Sequence, residues 1–454
     1  MYLIQILAIV IWLFVSVSAL FHFKKTVLIW MMARMLLNSQ IAVRYNSPGM
    51  SAVIAVDITL ILIYFFKYRT RKSQTGLRFE RFPLTGAFWI TLASFLLSSL
   101  FAIVPLSSGL VATLKYFISN FGIIFVFLKC LNTEEDVFLY IRTGFVVGIM
   151  IAVLGIYQTV MKDNPWLDFV YLNSPIDETT LGRMWYTPPF VSGGLTERMG
   201  MVRSDSFFGI TIEFGATCIY MLYLFMTIKK YKFNVYKGFW LNAVIILILL
   251  GAIMSNSKTP IVGFVVLLFA FYGVRQMLNP KIILPLIIFF IIIIVYFPAI
   301  SMSFMSLFDP KLAEEAGGSS VSMRQSQADV VLRLFSMNPL FGNGIGSISV
   351  MRNIGNNSDI LGAESSFFQI LPERGLLGLF AYIFTYWSLF TYGKKYIPFK
   401  LSFFFLLSVA VMEFATGCLN TTIWICVYFC VVRLFQLRKT VSIYAQQKIQ
   451  NENE

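Results

Sequence analysis

The chain is poor in charge, almost devoid of histidine, and has no cysteine placed for chemistry. Of its 454 residues, 58% are hydrophobic and only 13% are charged, against about 25% charged in soluble domains. So little polar surface excludes a soluble globular protein and makes a bilayer the solvent. The one histidine, His22, lies in an apolar run and reads as a packing residue, so no nucleophilic triad is expected and nothing points to a metal. The five cysteines (Cys130, Cys218, Cys418, Cys426 and Cys430) fall in or beside apolar segments. They have neither zinc-ligand spacing nor an extracellular pairing pattern, and read as small hydrophobes. Acidic residues are also scarce, leaving a net charge of +14. That charge does not imply nucleic acid, because the basic residues sit in short clusters between apolar runs, where they set membrane topology.

What is present in abundance is apolar sequence of spanning length. The runs cover approximately 2–22, 27–43, 50–66, 84–105, 109–129, 143–160, 206–228, 239–254, 261–278, 282–300, 376–392, 401–416 and 421–435. They predict an all-α polytopic membrane protein of about 12–13 transmembrane helices. Uninterrupted apolar runs exclude a β-barrel. The first run lacks a basic leader region and reads as a span rather than a cleaved signal. The run at 27–43 carries Arg34, Asn38, Ser39 and Gln40 and reads as a short or broken span.

Lysine and arginine give the orientation. Lys67, Arg69, Arg71, Lys72, Arg78 and Arg81 form one cluster, and Lys229, Lys230, Lys232 and Lys237 form another. Arg275 and Lys281, then Lys394, Lys395 and Lys400, then Arg433, Arg438 and Lys439 follow in connections of the same parity. That side is the expected cytoplasm. A loop there with Glu134, Glu135 and Asp136 is acidic, but acidic residues count little in the rule. The domain reading is one transmembrane unit over 1–440 with a short cytoplasmic tail at 441–454. Two large extracytoplasmic loops, at about 161–205 and 301–375, hold the only long hydrophilic stretches. Within the second, Ala328, Val331 and Phe335 recur at helical spacing until Pro339, which predicts a helix from Met323 to Phe335.

Four groups could carry chemistry. Arg203 marks where the first outer loop re-enters the membrane, in Arg203-Ser204-Asp205-Ser206-Phe207-Phe208-Gly209. Its planar fork suits phosphate, and its bland alternative is snorkelling at the interface. Lys258 sits in the short outer turn Ser255-Asn256-Ser257-Lys258, which taken alone is an ordinary hairpin. Arg324 opens the predicted helix and precedes Asn338-Pro339-Leu340-Phe341-Gly342-Asn343-Gly344-Ile345-Gly346. The glycine turn offers backbone N–H groups to an anion, although most such turns are only tight connections and this one is not a P-loop. Glu364 stands just before the chain returns to the membrane, in Glu364-Ser365-Ser366-Phe367-Phe368 and on to Glu373-Arg374-Gly375-Leu376-Leu377-Gly378-Leu379. A carboxylate there is either a general base or a member of an ion pair.

Taken in this order, the groups resemble the O-antigen ligase and Wzy-type polysaccharide polymerase superfamily of bacterial membrane proteins, over about residues 109–400. The resemblance implies a GT-C-like bundle in the bacterial cytoplasmic (inner) membrane, with its active site facing the extracytoplasmic side. It implies a metal-independent inverting glycosyltransferase without cofactor, whose donor and acceptor are undecaprenyl-diphosphate-linked oligosaccharides. Arg203, Arg324 and Lys258 would bind the diphosphate, and Glu364 would be the general base. Lys258 would be the weaker equivalent, because lysine cannot make a bidentate contact. A chain-length regulator and a flippase would be companions in the membrane, with no nucleic acid involved. Ligases of the family usually carry histidine then asparagine where this chain has Glu364-Ser365, which favours a polymerase of capsule, exopolysaccharide or O-antigen repeats. The alternatives are a ligase-type glycan transferase and, from another class, a transporter or flippase of an amphipathic substrate. The last would rely on the intramembrane candidates Lys115, Glu213 and Glu413.

Overall fold

An apolar slab leaves the backbone no partner but itself, and the chain answers with helices. The computed structural model describes residues 2–37, 41–45, 49–68, 82–103, 105–174, 197–198, 201–277, 321–348, 365–417 and 421–453, with isolated positions between 279 and 309. Six of the described helical stretches are long and apolar enough to cross a membrane, and three further apolar helices are shorter. This is an all-α, multi-pass membrane protein.

Helix α1 (Leu3–Ala33) is bent at His22, where φ is −128° and ψ 50°. The bend turns it into a hairpin whose two arms are the apolar runs at 2–22 and 27–43. Gln5 Nε2 donates to the Val43 carbonyl at 2.9 Å, and Ile4 and Ala8 pack with Ile41, Ala52 and Val170. Both ends of the hairpin therefore lie at the same end of the bundle, and the N-terminus lies with α7 (Pro165–Leu172). A short hairpin, β1 (Ala42–Arg44) with β2 (Met50–Ser51), leads into α2 (Ala52–Ile63) and a π turn at Tyr64–Tyr68. Trp12 Nε1 donates to Thr59 Oγ1 and Trp30 Nε1 to Asp57 Oδ1, each at 2.9 Å, so α2 touches both arms.

Next come α3 (Thr85–Leu100), α4 (Leu106–Phe117), a π turn at Ile118–Gly122 and α5 (Ile123–Cys130), the last three continuous through the slab. Helix α6 (Glu134–Met161) begins earlier than the apolar run at 143–160 predicts. Glu134, Glu135 and Asp136 form its first turn rather than a loop. Thr133 and Asp136 close a capping box, and three carboxylates at a helix N-terminus suit its dipole. A second strand pair, β3 (Glu197–Arg198) with β4 (Met201–Val202), precedes α8 (Thr211–Lys230), α9 (Gly238–Met254) and α10 (Lys258–Met277). The run at 282–300 lies mostly outside the described residues.

The basic residues gather at one end. Lys24 pairs with Asp136, and Lys67 Nζ donates to the Leu20 carbonyl. Arg433 donates to the carbonyls of Leu131 and Asn132, and Arg438 to that of Tyr231. This basic end is opposite to the β1–β2 hairpin and α7.

Helix α11 (Val321–Met337) covers the helix expected at Met323–Phe335. Helix α12 (Ser366–Gly393) begins ten residues before the apolar run at 376, with Ser365 as N-cap accepting from the Phe367 N–H. Polar Gln369, Glu373 and Arg374 conceal its first turns in a hydropathy reading. It is broken at Gly375, where φ is +62°, with Pro372 just before. Helix α13 (Phe399–Ala415) follows, and α14 (Thr421–Asn453) runs on through the residues expected as a tail.

The break in α12 is filled by the turn after α11. Leu376 and Leu377 donate to the carbonyls of Pro339 and Leu340, at 2.9 and 3.2 Å. In return Asn343 and Gly344 donate to the carbonyls of Pro372 and Glu373, at 2.8 and 3.1 Å. Gly342 has φ +74°, and a Cβ there would stand 2.3 Å from the Glu373 carbonyl carbon. A Gly342→Ala variant must therefore carry left-handed strain and push two backbones apart. It is expected to lose at least about 2 kcal/mol of stability, read as a lower midpoint of thermal unfolding in detergent; an unchanged midpoint would contradict the interlock.

Candidate active site

Arg203 is delivered by a loop clamped on buried amides. Gln158, on α6, accepts through Oε1 from the N–H groups of Asp205 and Ser206 at 3.0 and 2.9 Å. Its Nε2 donates to Asp205 Oδ1 at 2.6 Å. Asn164, the N-cap of α7, donates to Asp205 Oδ1 and to the Ser206 carbonyl. The Ser204 N–H reaches the last turn of α9 at the Met254 carbonyl. With its backbone fixed on three helices, Arg203 directs Nη2 to Thr211 Oγ1 at 2.6 Å and to Ser257 Oγ at 2.9 Å.

Ser257 is the residue before Lys258, the first of α10. Lys258 Nζ donates to Ser306 Oγ at 2.9 Å. Helix α10 lies antiparallel to α13: Ser408 Oγ donates to the Gly263 carbonyl, and Gly273 faces the Lys400 side chain. The first turn of α10 thus stands level with the last turn of α13. There the Ala415 carbonyl accepts from Arg324 Nη2 at 3.0 Å. Arg203, Lys258 and Arg324, separate in sequence, come to the same end of the α8–α10–α13 group, opposite to the basic end.

One step deeper on the same helices lies a polar cavity of about 500 Å³. Glu213, two residues after Thr211, and Glu413, two residues before Ala415, both line it. Glu413 accepts from the Tyr386 hydroxyl at 2.8 Å and from that of Tyr382. Glu373 and Arg374 add the broken segment of α12 to the wall, with the Arg374 guanidinium 4.5 Å above the Phe95 ring. Arg34 closes the cavity from α1's side and is paired with buried Asp57 at 3.2 Å. Ser119 and Asn120, in the π turn, also face it; π bulges recur at functional sites because they turn carbonyls out of the helix. Here the Ser119 carbonyl accepts from Thr422 Oγ1 at 2.6 Å.

Two of the sequence candidates have partners within the protein, and a third falls outside the described residues. The glycine turn does offer N–H groups to an anion, but the anion is internal: Gly346 N–H donates to Glu373 Oε1 at 2.8 Å. Lys115 reaches sideways to the Gly49 carbonyl at 2.6 Å. Glu364 lies outside the described residues; the serines that follow it cap and open α12, and Ser366 is in the cavity wall. The sequence reading passed over Arg34–Asp57 and Gln158 altogether. The signal for the first pair was available, since an aspartate inside an apolar run needs a cation.

Residues 243–383 match the family model described as O-antigen ligase. The chain is thus similar to the O-antigen ligase family over a stretch running from α9 into α12, consistent with the ligase and polymerase superfamily. That stretch includes Lys258, Arg324 and Glu364 and leaves Arg203 to the preceding part of the chain. No curated protein matches the chain.

The clamp makes one prediction by pH. Burial raises the Asp205 carboxyl to about 6, against the hydrogen bonds from Gln158 and Asn164, which favour the anion. An acid with a raised folded pKa is most stabilising below its unfolded pKa, near 4, and loses that stability as pH rises to about 6. Wild-type stability should fall by roughly 3 kcal/mol across that window on account of this group. Asp205→Asn keeps the acceptor Oδ1 and should flatten that part of the profile, measured by chemical denaturation at pH 4 to 7. An unaltered slope would refute the assignment.

Proposed function

We propose that this protein is a polysaccharide polymerase. It would join undecaprenyl-diphosphate-linked oligosaccharide repeat units at the outer face of the cytoplasmic membrane. The observation that carries the reading is that Arg203, Lys258 and Arg324 lie at the same end of the bundle, on helices that also line a polar cavity. The family match over 243–383 supports the transferase class. The outer assignment follows from the lysines and arginines gathered at the opposite end.

The chemistry follows from the charges. The acceptor hydroxyl gives its proton to the Glu364 carboxylate and attacks the anomeric carbon of the donor. The bond from that carbon to the diphosphate oxygen breaks as the new glycosidic bond forms, on the opposite face, with inversion. Charge builds on the departing diphosphate, where two guanidinium forks and an ammonium stabilise it more in the transition state than in the ground state. Three fixed cations meet the need for charge neutralisation with protein groups alone.

The glutamate at 364 favours polymerase over ligase, and chain length tests it. Glu364→Gln should slow elongation by about 10²-fold or more, and Arg203→Ala or Arg324→Ala by a similar factor. Cells carrying these variants should accumulate single repeat units on the lipid carrier, as resolved by gel electrophoresis of lipid-linked glycans. Accumulation of long lipid-linked chains would instead identify a ligase. Retention of activity by Glu364→Gln and Arg203→Ala, with loss in Glu413→Gln, would favour transport.

A further inference from the structure

A second, apolar groove of about 560 Å³ runs along the outer side of α1. It lies between the two arms of the hairpin, from Ile11 and Leu37 at one limit to His22 and Lys25 at the other. Its walls are aliphatic and aromatic along most of the length, including Phe14, which is 72% exposed. The polar residues Ser18, Thr26, His22 and Lys25 collect towards the bend. None of the groups that make the outer-end site takes part.

The bend places one cation, Lys25, at this mouth, with Lys24 and Lys67 at the same end of the bundle but outside the groove's lining. Lys24 is held by Asp136, and Lys67 Nζ sits on the Leu20 carbonyl. Lys25 lines the groove, and among the described residues no carboxylate pairs with it. The length is also informative. From Ile11 to His22 the arm rises about 16 Å at 1.5 Å per residue, which is close to half of a hydrocarbon core about 30 Å thick. The groove therefore has the depth of one leaflet, with Lys25 at the headgroup level of the basic end.

We infer that this groove is a binding site for an anionic glycerophospholipid of the leaflet at the basic end. One acyl chain lies between the arms of α1, and the headgroup phosphate rests on Lys25, with His22 beside it. The occupant is distinct from the diphosphate-linked donor, whose charged end belongs at the opposite end of the bundle. Charge and length together select it: a zwitterionic lipid fills the groove equally well but gains less from cations at an interface.

The test uses the purified full-length protein in detergent, with phosphatidylglycerol or phosphatidylcholine added and bound lipid counted by native mass spectrometry. Phosphatidylglycerol should be retained in preference to phosphatidylcholine. Lys25→Glu should weaken its retention by about tenfold or more. Lys395→Ala, a basic-end cation away from the groove, should leave it unchanged. Ser18→Trp, which fills the groove and keeps Lys25, should displace the lipid while the protein still melts cooperatively. Equal retention of the two lipids, or retention of phosphatidylglycerol by both Lys25→Glu and Ser18→Trp, would overturn the site.

Discussion

Inside an apolar slab a break in a helix must be answered by other backbone, and α12 breaks at Pro372–Gly375. Proline removes one N–H and glycine turns the chain to positive φ, so several carbonyls and amides lose their helical partners. The Pro339–Gly346 turn supplies those partners, donor for acceptor, on both sides of the break. Side chains complete the seal: Asn343 Nδ2 donates to the carbonyls of Leu334 and Pro372, and Ser98 from α3 donates to that of Glu373. The same interlock fixes α11, which carries Arg324, and presents Glu373 and Arg374 to the cavity. The two motifs that are most conspicuous in the sequence are thus the two halves of one joint.

That joint bears on where charge can reside. Isolated charges in a low-dielectric interior are costly, and removing one partner of a buried pair costs more than the pair contributes. The cavity gathers carboxylates and guanidiniums of both signs around a single polar volume. Phenols share the burden at Glu413, a backbone N–H does so at Glu373, and an aromatic face does so at Arg374. At the end opposite the basic one, Arg203 and Lys258 donate to hydroxyls and Arg324 to a carbonyl.

Much of this was legible in the sequence, and the failures have physical causes. Apolar length marked the spans, because the bilayer imposes it. The run at 27–43 is helical only as far as Leu36, a short span as its polar residues suggest, with Arg34 tolerated through Asp57. The acidic start of α6 was hidden because hydropathy counts carboxylates as loop, whereas a helix N-terminus welcomes them. The early start of α12 was hidden for the mirror reason: its polar residues face a cavity rather than lipid. Arg203, Lys258 and Arg324 could be picked out singly, but their meeting depends on α10 lying antiparallel to α13, which no local pattern encodes. Glu364 rests on its motif alone, directly before Ser365, the N-cap of α12.

The matched domain begins at residue 243, yet Arg203 precedes it. Two hydrogen bonds bridge that division: Arg203 to Ser257, and the Ser204 N–H to the Met254 carbonyl, both acceptors lying within the matched stretch. The residues that hold the Arg203 loop, Gln158 and Asn164, lie earlier still. A diphosphate bound by Arg203, Lys258 and Arg324 would therefore draw on α6, α8, α10 and α13 at once. No excised 243–383 fragment could present that set, because Arg203 and the residues that hold its loop lie outside it. The position of Arg203 is thus a property of the wider bundle, set by the grip of Gln158 and Asn164 on one loop.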